Sequence, residues 1–267
     1  DVKIYEDGEA LLEDPEVNAV LIATPHYQHP ELSIKAMEHH LNVICEKPAG
    51  VYTKQVREMI ACADEHPELT FAMMFNQRTN PVYIRMHELV QSGKYGKIIT
   101  DWYRTQHYYD SGDWRATWDG EGGGVLLNQC PHQLDLLQWI CGMPVRVRSF
   151  LHEGKWHHIE VEDDVTTYME FPDGGTGVFI TSTGDAPGTN RFEVDLEKAK
   201  IVCEHDQLSV YELDVNEREY CFTATEGFVP PAGKDVPQEI SSENPQHNGV
   251  LQAFADHIRM GGALIAD

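Results

Sequence analysis

Three short apolar runs, each ending on polar or proline residues and each separated by a helix-like stretch, do most to limit what this chain can become. They are Ala19-Val20-Leu21-Ile22-Ala23 before Thr24-Pro25, Asn42-Val43-Ile44-Cys45 before Glu46-Lys47-Pro48, and Thr70 to Phe75 before Asn76-Gln77-Arg78. An uninterrupted apolar run of this length reads as a strand buried on both faces. Between them, residues 30–40 and 53–65 carry helical spacing, with Pro30 at a helix start. Strand–helix alternation at this spacing requires crossover connections, and therefore a parallel sheet flanked by helices.

The rhythm changes after Asn80-Pro81. A helix is expected over 81–92, a long strand from Ile98 to His107, a Gly/Asp/Trp-rich loop over 110–124, and one apolar helix over 125–141 closed by Gly142 and Pro144. Long strands follow at 145–153, 163–171, 175–183, 190–197, 199–204 and 208–213, with Pro172-Asp173-Gly174-Gly175 as a hairpin turn. Residues 222–247 read as a surface loop and 248–260 as a closing helix. The expected fold class is α/β: a parallel sheet over residues 1–79, followed over 80–267 by an α+β domain with a large, mainly antiparallel open sheet.

Ligands of parallel α/β sheets sit beyond the carboxyl ends of the strands. Thr24-Pro25-His26, Glu46-Lys47-Pro48 and Asn76-Gln77-Arg78 all fall at such ends, so three polar clusters converge on one rim. Lys47 is the sharpest candidate. Its bland reading is a solvated charge, and its functional reading is a donor to a substrate hydroxyl, directed by the constraint Pro48 imposes on the backbone, through a cis bond in one reading. Asn128 and His132 lie four apart on the expected helix, with Asp135 on the same stripe. His132 is either a structural hydrogen-bonder or the proton acceptor in oxidation of an alcohol. The preceding Gly122-Gly123-Gly124 permits close approach of a ligand or another backbone. No Cys/His set with zinc spacing surrounds this pair, so a metal is not expected there. The pairs His39-His40 and His157-His158 read as surface. The cluster Trp102, Tyr103, His107, Tyr108, Tyr109, Trp114 and Trp118, with Arg115 among them, is open between packing beneath a loop and a sugar-binding wall.

The chain carries 44 acidic against 20 basic residues, a formal charge of −24. That excludes general affinity for nucleic acid or an anionic membrane surface. The longest apolar run falls far short of the roughly 18–20 residues of a membrane span. Six scattered cysteines without a CxxC pair read as reduced, mostly buried thiols, and the expected location is the cytoplasm.

Ala23-Thr24-Pro25 with His29, Glu46-Lys47-Pro48, Asn76-Gln77-Arg78 with Pro81, and the triple glycine followed by His132 and Asp135 occur in that order over about residues 17–145. Together they resemble the Gfo/Idh/MocA family of nicotinamide-dependent oxidoreductases. The resemblance implies a Rossmann-type first domain, NAD or NADP as cofactor, and oxidation of a secondary hydroxyl of a sugar, glycoside or cyclitol. It makes Lys47 and His132 catalytic, with Asn128 where the family often carries Asp or Asn. Thr24, Pro25, His26, His29, Glu46, Lys47 and Arg78 would bind the cofactor, although the family usually has Asn in place of His26. Trp114, Arg115, Asn128, His132 and Lys47 would meet the substrate, with Lys47, Arg78 and Arg115 as local positive charge in an acidic shell. A homo-oligomer, dimer or tetramer, through the open sheet is implied as well. The family's opening strand and G-x-G-x-x-G turn have no counterpart before residue 17, so the Rossmann domain is expected to be N-terminally incomplete here. A glycoside-cleaving oxidation–elimination enzyme and a non-catalytic sugar or nucleotide sensor are the alternatives.

Overall fold

The computed structural model describes residues 3–106, 117–184 and 186–267. Trp114 and Arg115, with His107, Tyr108 and Tyr109, lie outside the described residues. The chain opens with α1 (Gly8–Leu12), whose first turn is capped by the Asp7 carboxylate accepting from the Ala10 N–H. Then come β1 (Ala19–Ile22), α2 (His29–Glu38), β2 (Asn42–Cys45), α3 (Thr53–Glu65) and β3 (Phe71–Met73). The strands pair in parallel in the order β1-β2-β3, with Val20 opposite Val43 and Ile44 opposite Ala72. Central β2 matches the doubly buried expectation, since Val43, Ile44 and Cys45 are fully buried. Strand β1 departs from it. Leu21, on the outer strand of the three described, is 48% exposed.

The second sheet is built after α4 (Pro81–Gln91). It contains β4 (Ile98–Gln106) and, beyond α5 (Trp118–Glu121), α6 (Val125–Asn128) and α7 (Pro131–Cys141), the run β5 (Arg146–Glu153), β6 (Glu162–Glu170), β7 (Thr176–Ser182), β8 (Asn190–Leu196), β9 (Ala199–Glu204) and β10 (Gln207–Leu213). After α8 (Glu217–Thr223), β11 (Gly233–Asp235) adds to the edge, and α9 (Gln246–Met260) follows. The strand order is β11-β10-β9-β8-β4-β7-β6-β5, antiparallel throughout except where β4 lies parallel to β7.

Period-two alternation gives this sheet two faces. Tyr103, Val165, Met169, Phe179 and Phe192 pack under α4 and α7 in one core cluster. Tyr103 lies 4.5 Å from Phe192 and 5.6 Å from Phe179 between ring centroids, so this aromatic packs rather than lining a sugar wall. The opposite register positions Trp102, Phe150, Tyr168, Val178 and Ile180 share the other face, with Phe150 and Tyr168 exposed.

Two expectations need correction. The helix read over 125–141 is two helices: α6 stops at Asn128, and Pro131, which has no N–H to continue a ladder, starts α7. Asn128 and His132 therefore do not share one continuous helix face. The loop read over 222–247 contains the end of α8, strand β11 and the first residues of α9. The chain's last segment returns to the parallel sheet. Val250, Phe254, Leu264 and Ile265 pack against Ile44, Ala72 and Met74, and the Ala266 carbonyl accepts from Met73 N at 3.1 Å.

Cys45, Cys130 and Cys203 are buried, Cys62 and Cys141 half-buried and Cys221 exposed, all as free thiols. Among the described residues no helix is long and apolar enough to cross a membrane. Phe179 is fully enclosed at the middle of β7. Phe179→Ala should lower unfolding free energy by about 3–5 kcal/mol, measured by urea denaturation.

Candidate active site

The carboxyl ends of β1, β2 and β3 lead into Thr24-Pro25, Glu46-Lys47-Pro48 and a one-turn 3-10 helix, Asn76–Thr79. The Lys47–Pro48 peptide is cis. One imidazole ties two of these ends together: His29 is buried, with Nδ1 2.7 Å from the Pro48 carbonyl and Nε2 2.7 Å from the Thr24 carbonyl. His29 thus sits beneath the rim as a latch. His26, in the 3-10 turn His26–Gln28, turns to the second unit instead. Its Nδ1 lies against the Glu121 carboxylate and 3.3 Å from the Glu121 carbonyl, with both residues buried. Tyr27 adds a hydroxyl bond to the Trp118 carbonyl at 2.7 Å.

The triple glycine explains itself at Gly124. A Cβ there would stand 2.0 Å from the Glu162 carbonyl oxygen, so only glycine lets the loop meet β6. The buried Glu162 carboxylate accepts from Gly124 N at 2.8 Å and Leu126 N at 3.1 Å, which fixes the start of α6. At the other end of α6, the Asn128 carbonyl accepts from Lys47 Nζ at 2.9 Å. Asn128 thus meets Lys47 through its backbone, while its side-chain oxygen accepts from Gln129 at 2.7 Å.

His132, the second residue of α7, has Phe75 edge-on at 6.2 Å between centroids. Burial first, then the charges of Lys47 and His247, push its imidazole from the ordinary 6.5 down to about 4. The ring is neutral at physiological pH, and its buried Nδ1 has no hydrogen-bond partner among the described residues.

Arg78 departs from the expected cofactor contact. Its guanidinium bonds Asp135 through both arms, at 2.8 and 2.7 Å, and reaches the Ile265 carbonyl at 3.3 Å. Burial raises the Asp135 carboxyl and Arg78 offsets that cost in part. The Arg78 charge is therefore committed to holding α7 against the end of β3, and His132 rides on that helix.

Sequence reading missed four contributors. Glu121 meets His26, and Glu162 holds the start of α6, both across long separations. Gln246 Oε1 accepts from Asn76 at 2.6 Å, and His247 is near enough to bear on His132. The acid directly before the triple glycine was a usable signal for Glu121; residues 246 and 247 carried none, being read as loop. A groove of about 710 Å³ between β10 and α8, lined among others by Tyr211, Leu213, Cys221 and Phe222, contains none of these residues.

Residues 1–74 match the model described as an oxidoreductase family with an NAD-binding Rossmann fold, and residues 83–202 match the GFO/IDH/MocA C-terminal domain. The chain belongs to the Gfo/Idh/MocA family. It is 25% identical over 266 residues to levoglucosan dehydrogenase of Pseudarthrobacter phenanthrenivorans, spanning 86% of this chain and 67% of that one. It is 31% identical over 191 residues to trans-1,2-dihydrobenzene-1,2-diol dehydrogenase of Mus musculus, spanning 70% and 56%. A solved levoglucosan dehydrogenase in complex with NADH and L-sorbose shares the fold at a TM-score of 0.81 and 18% identity, over 97% of this chain and 75% of that one. The chain spans between 46% and 67% of the length of the curated relatives it matches first.

The rim fits the nicotinamide end of this family's cofactor on its own chemistry. Thr24 Oγ1 and His132 Nδ1 are buried polar atoms without partners among the described residues, an arrangement that costs free energy until a ligand satisfies it.

Arg78→Met should leave the Asp135 carboxylate buried without its partner and cost about 3–5 kcal/mol in urea denaturation. Adding Asp135→Leu to that variant should recover most of the loss. An Arg78→Met protein as stable as the parent would show that the pair does not brace α7.

Proposed function

We propose that this protein oxidises a secondary hydroxyl of a sugar, glycoside or cyclitol, with NAD or NADP as the oxidant. One observation carries the reading: a lysine ammonium anchored on a carbonyl at the end of a parallel strand, close enough to a buried neutral histidine to depress its pKa. Relatives with dehydrogenase names, among them one for levoglucosan, support the substrate class.

When bound, the nicotinamide supplies the hydride acceptor. Thr24, Pro25, His26, Glu46 and Lys47 are the residues we assign to its reactive end, with His29 holding two of their loops in register. Lys47 donates to the substrate oxygen and balances the negative charge that grows there. The Asn128 carbonyl fixes the direction of the ammonium, which keeps the substrate aligned. As the carbinol C–H bond breaks, the hydroxyl becomes a strong acid, and His132 takes its proton to leave a carbonyl group. A weakly basic imidazole suffices for a proton that acidic, and its low pKa keeps it deprotonated beforehand.

Lys47→Ala and His132→Ala should each cut turnover at least about 10²-fold, followed by absorbance of the reduced cofactor across a panel of sugars, inositols and glycosides. Near-parental turnover in either variant on the best substrate would sink the assignment. Because the His132 pKa is depressed, kcat/KM should hold as pH falls through 6.5 and drop only on approach to about 4. A limb at 6.5 that vanishes in His132→Ala would contradict the buried neutral imidazole.

The macromolecular partner we assign is a second copy of this chain, apposed through the open face of the large sheet. Phe150 and Tyr168 are exposed there and Val178 and Ile180 half-buried, an apolar stripe that a like face would cover. Phe150→Asp with Tyr168→Asp should shift the mass measured by light scattering to that of a single chain, and an unchanged mass would exclude this face. We assign the protein to the cytoplasm, where its free thiols stay reduced.

A further inference from the structure

At the amino-terminal edge of the parallel sheet, opposite the rim that carries Lys47, the α2–β2 and α3–β3 connections run side by side. Each places imidazole there. His40 follows α2 at φ 59°, in the left-handed region. It is held by Leu41 N donating to Ala36 O at 3.0 Å and His40 N donating to Met37 O at 2.9 Å, the paired bonds of a Schellman cap. That position usually takes glycine or asparagine. His66 caps α3 and opens a tight turn closed by Leu69 N to His66 O at 2.9 Å, with Pro67 second and Glu68 third. Within that turn His66 Nδ1 is 3.3 Å from Glu68 Oε1. The His40 and His66 rings meet edge-on at 5.9 Å.

One donor atom from each of His40, His66 and Glu68 lies within 4.8 Å of the other two. We propose that these three side chains form a Zn²⁺ site, separate from the catalytic rim, that cross-links the two connections. Two imidazole nitrogens and one carboxylate oxygen are a zinc donor set, with a fourth position left for water. Zinc at about 2.0–2.2 Å from each ligand would draw the donors to about 3.4 Å apart, a rotation open to the exposed His40 and Glu68 around the half-buried His66. The electrostatics favour a cation independently of the donors. Both α2 and α3 end here, so two negative dipole ends lie beside the cluster. Glu38 and Glu65, the last residues of the two helices, add formal negative charge. The Glu68 carboxyl is already held below its ordinary value by a backbone hydrogen bond and by His66, so it is available as an anion. None of the three residues takes part in the proposed oxidation.

The test uses tag-free, chelator-treated protein titrated with ZnCl₂ in a calorimeter, alongside thermal unfolding with and without equimolar Zn²⁺. The parent should bind one Zn²⁺ per chain with a rise in Tm, and Mg²⁺, which prefers an all-oxygen shell, should leave Tm unchanged. His40→Asn keeps a residue at ease in the left-handed region while removing the imidazole, and His66→Gln removes the second ligand. Each should weaken Zn²⁺ binding at least about 10-fold, and the double variant should lose both the one-equivalent binding and the Tm rise. Absence of one-equivalent binding in the parent, or binding and Tm shift that persist in the double variant, would overturn the site.

Discussion

The hydrogen bond from Lys47 to the Asn128 carbonyl joins the two halves of the molecule at the point where chemistry is expected. It links the end of β2 in the parallel sheet to the end of α6 on the large sheet. An ammonium drawn partly out of water needs a strong acceptor, and a carbonyl at the foot of a short helix supplies one. Everything around it keeps those two ends in place. His29 fixes the Pro48 side by bridging to Thr24, and Glu162 fixes the other by holding the first N–H groups of α6.

The charges deep in the site are mostly structural. Arg78 and Asp135 neutralise each other and brace α7, and the Glu121 carboxylate meets His26 beneath the rim. Buried ions are costly unless paired, and Arg78 and Asp135 offset that cost for each other. Among the described residues, Lys47 is an anchored cation, His132 an unprotonated imidazole and Thr24 a buried hydroxyl without a partner. An overall charge of −24 coexists with this small positive focus because screening confines each surface charge to its own neighbourhood.

Local pattern revealed much of this. Alternating apolar runs and helices gave the parallel sheet, period-two stretches gave β5 to β10 within a residue or two of their bounds, and polar strand ends located the rim. The motif-based family assignment agrees with the matches over 1–74 and 83–202. What escaped depends on contacts between distant positions. Arg78 meets Asp135, Gln246 meets Asn76 and Ala266 meets Met73, and no periodicity encodes such pairings. The break between α6 and α7 hinged on Pro131, since proline in a helical run marks either a kink or a new first turn.

The contact between Gly124 and Glu162 bears on how the cleft moves. Gly124 seats the end of the loop before α6 on β6, and the Gly124 and Leu126 amides share the Glu162 carboxylate. That end is tied to the large sheet, while Tyr27 and His26 hold α5 from the other side. A motion of one sheet against the other would run along the seam that the Lys47–Asn128 bond crosses.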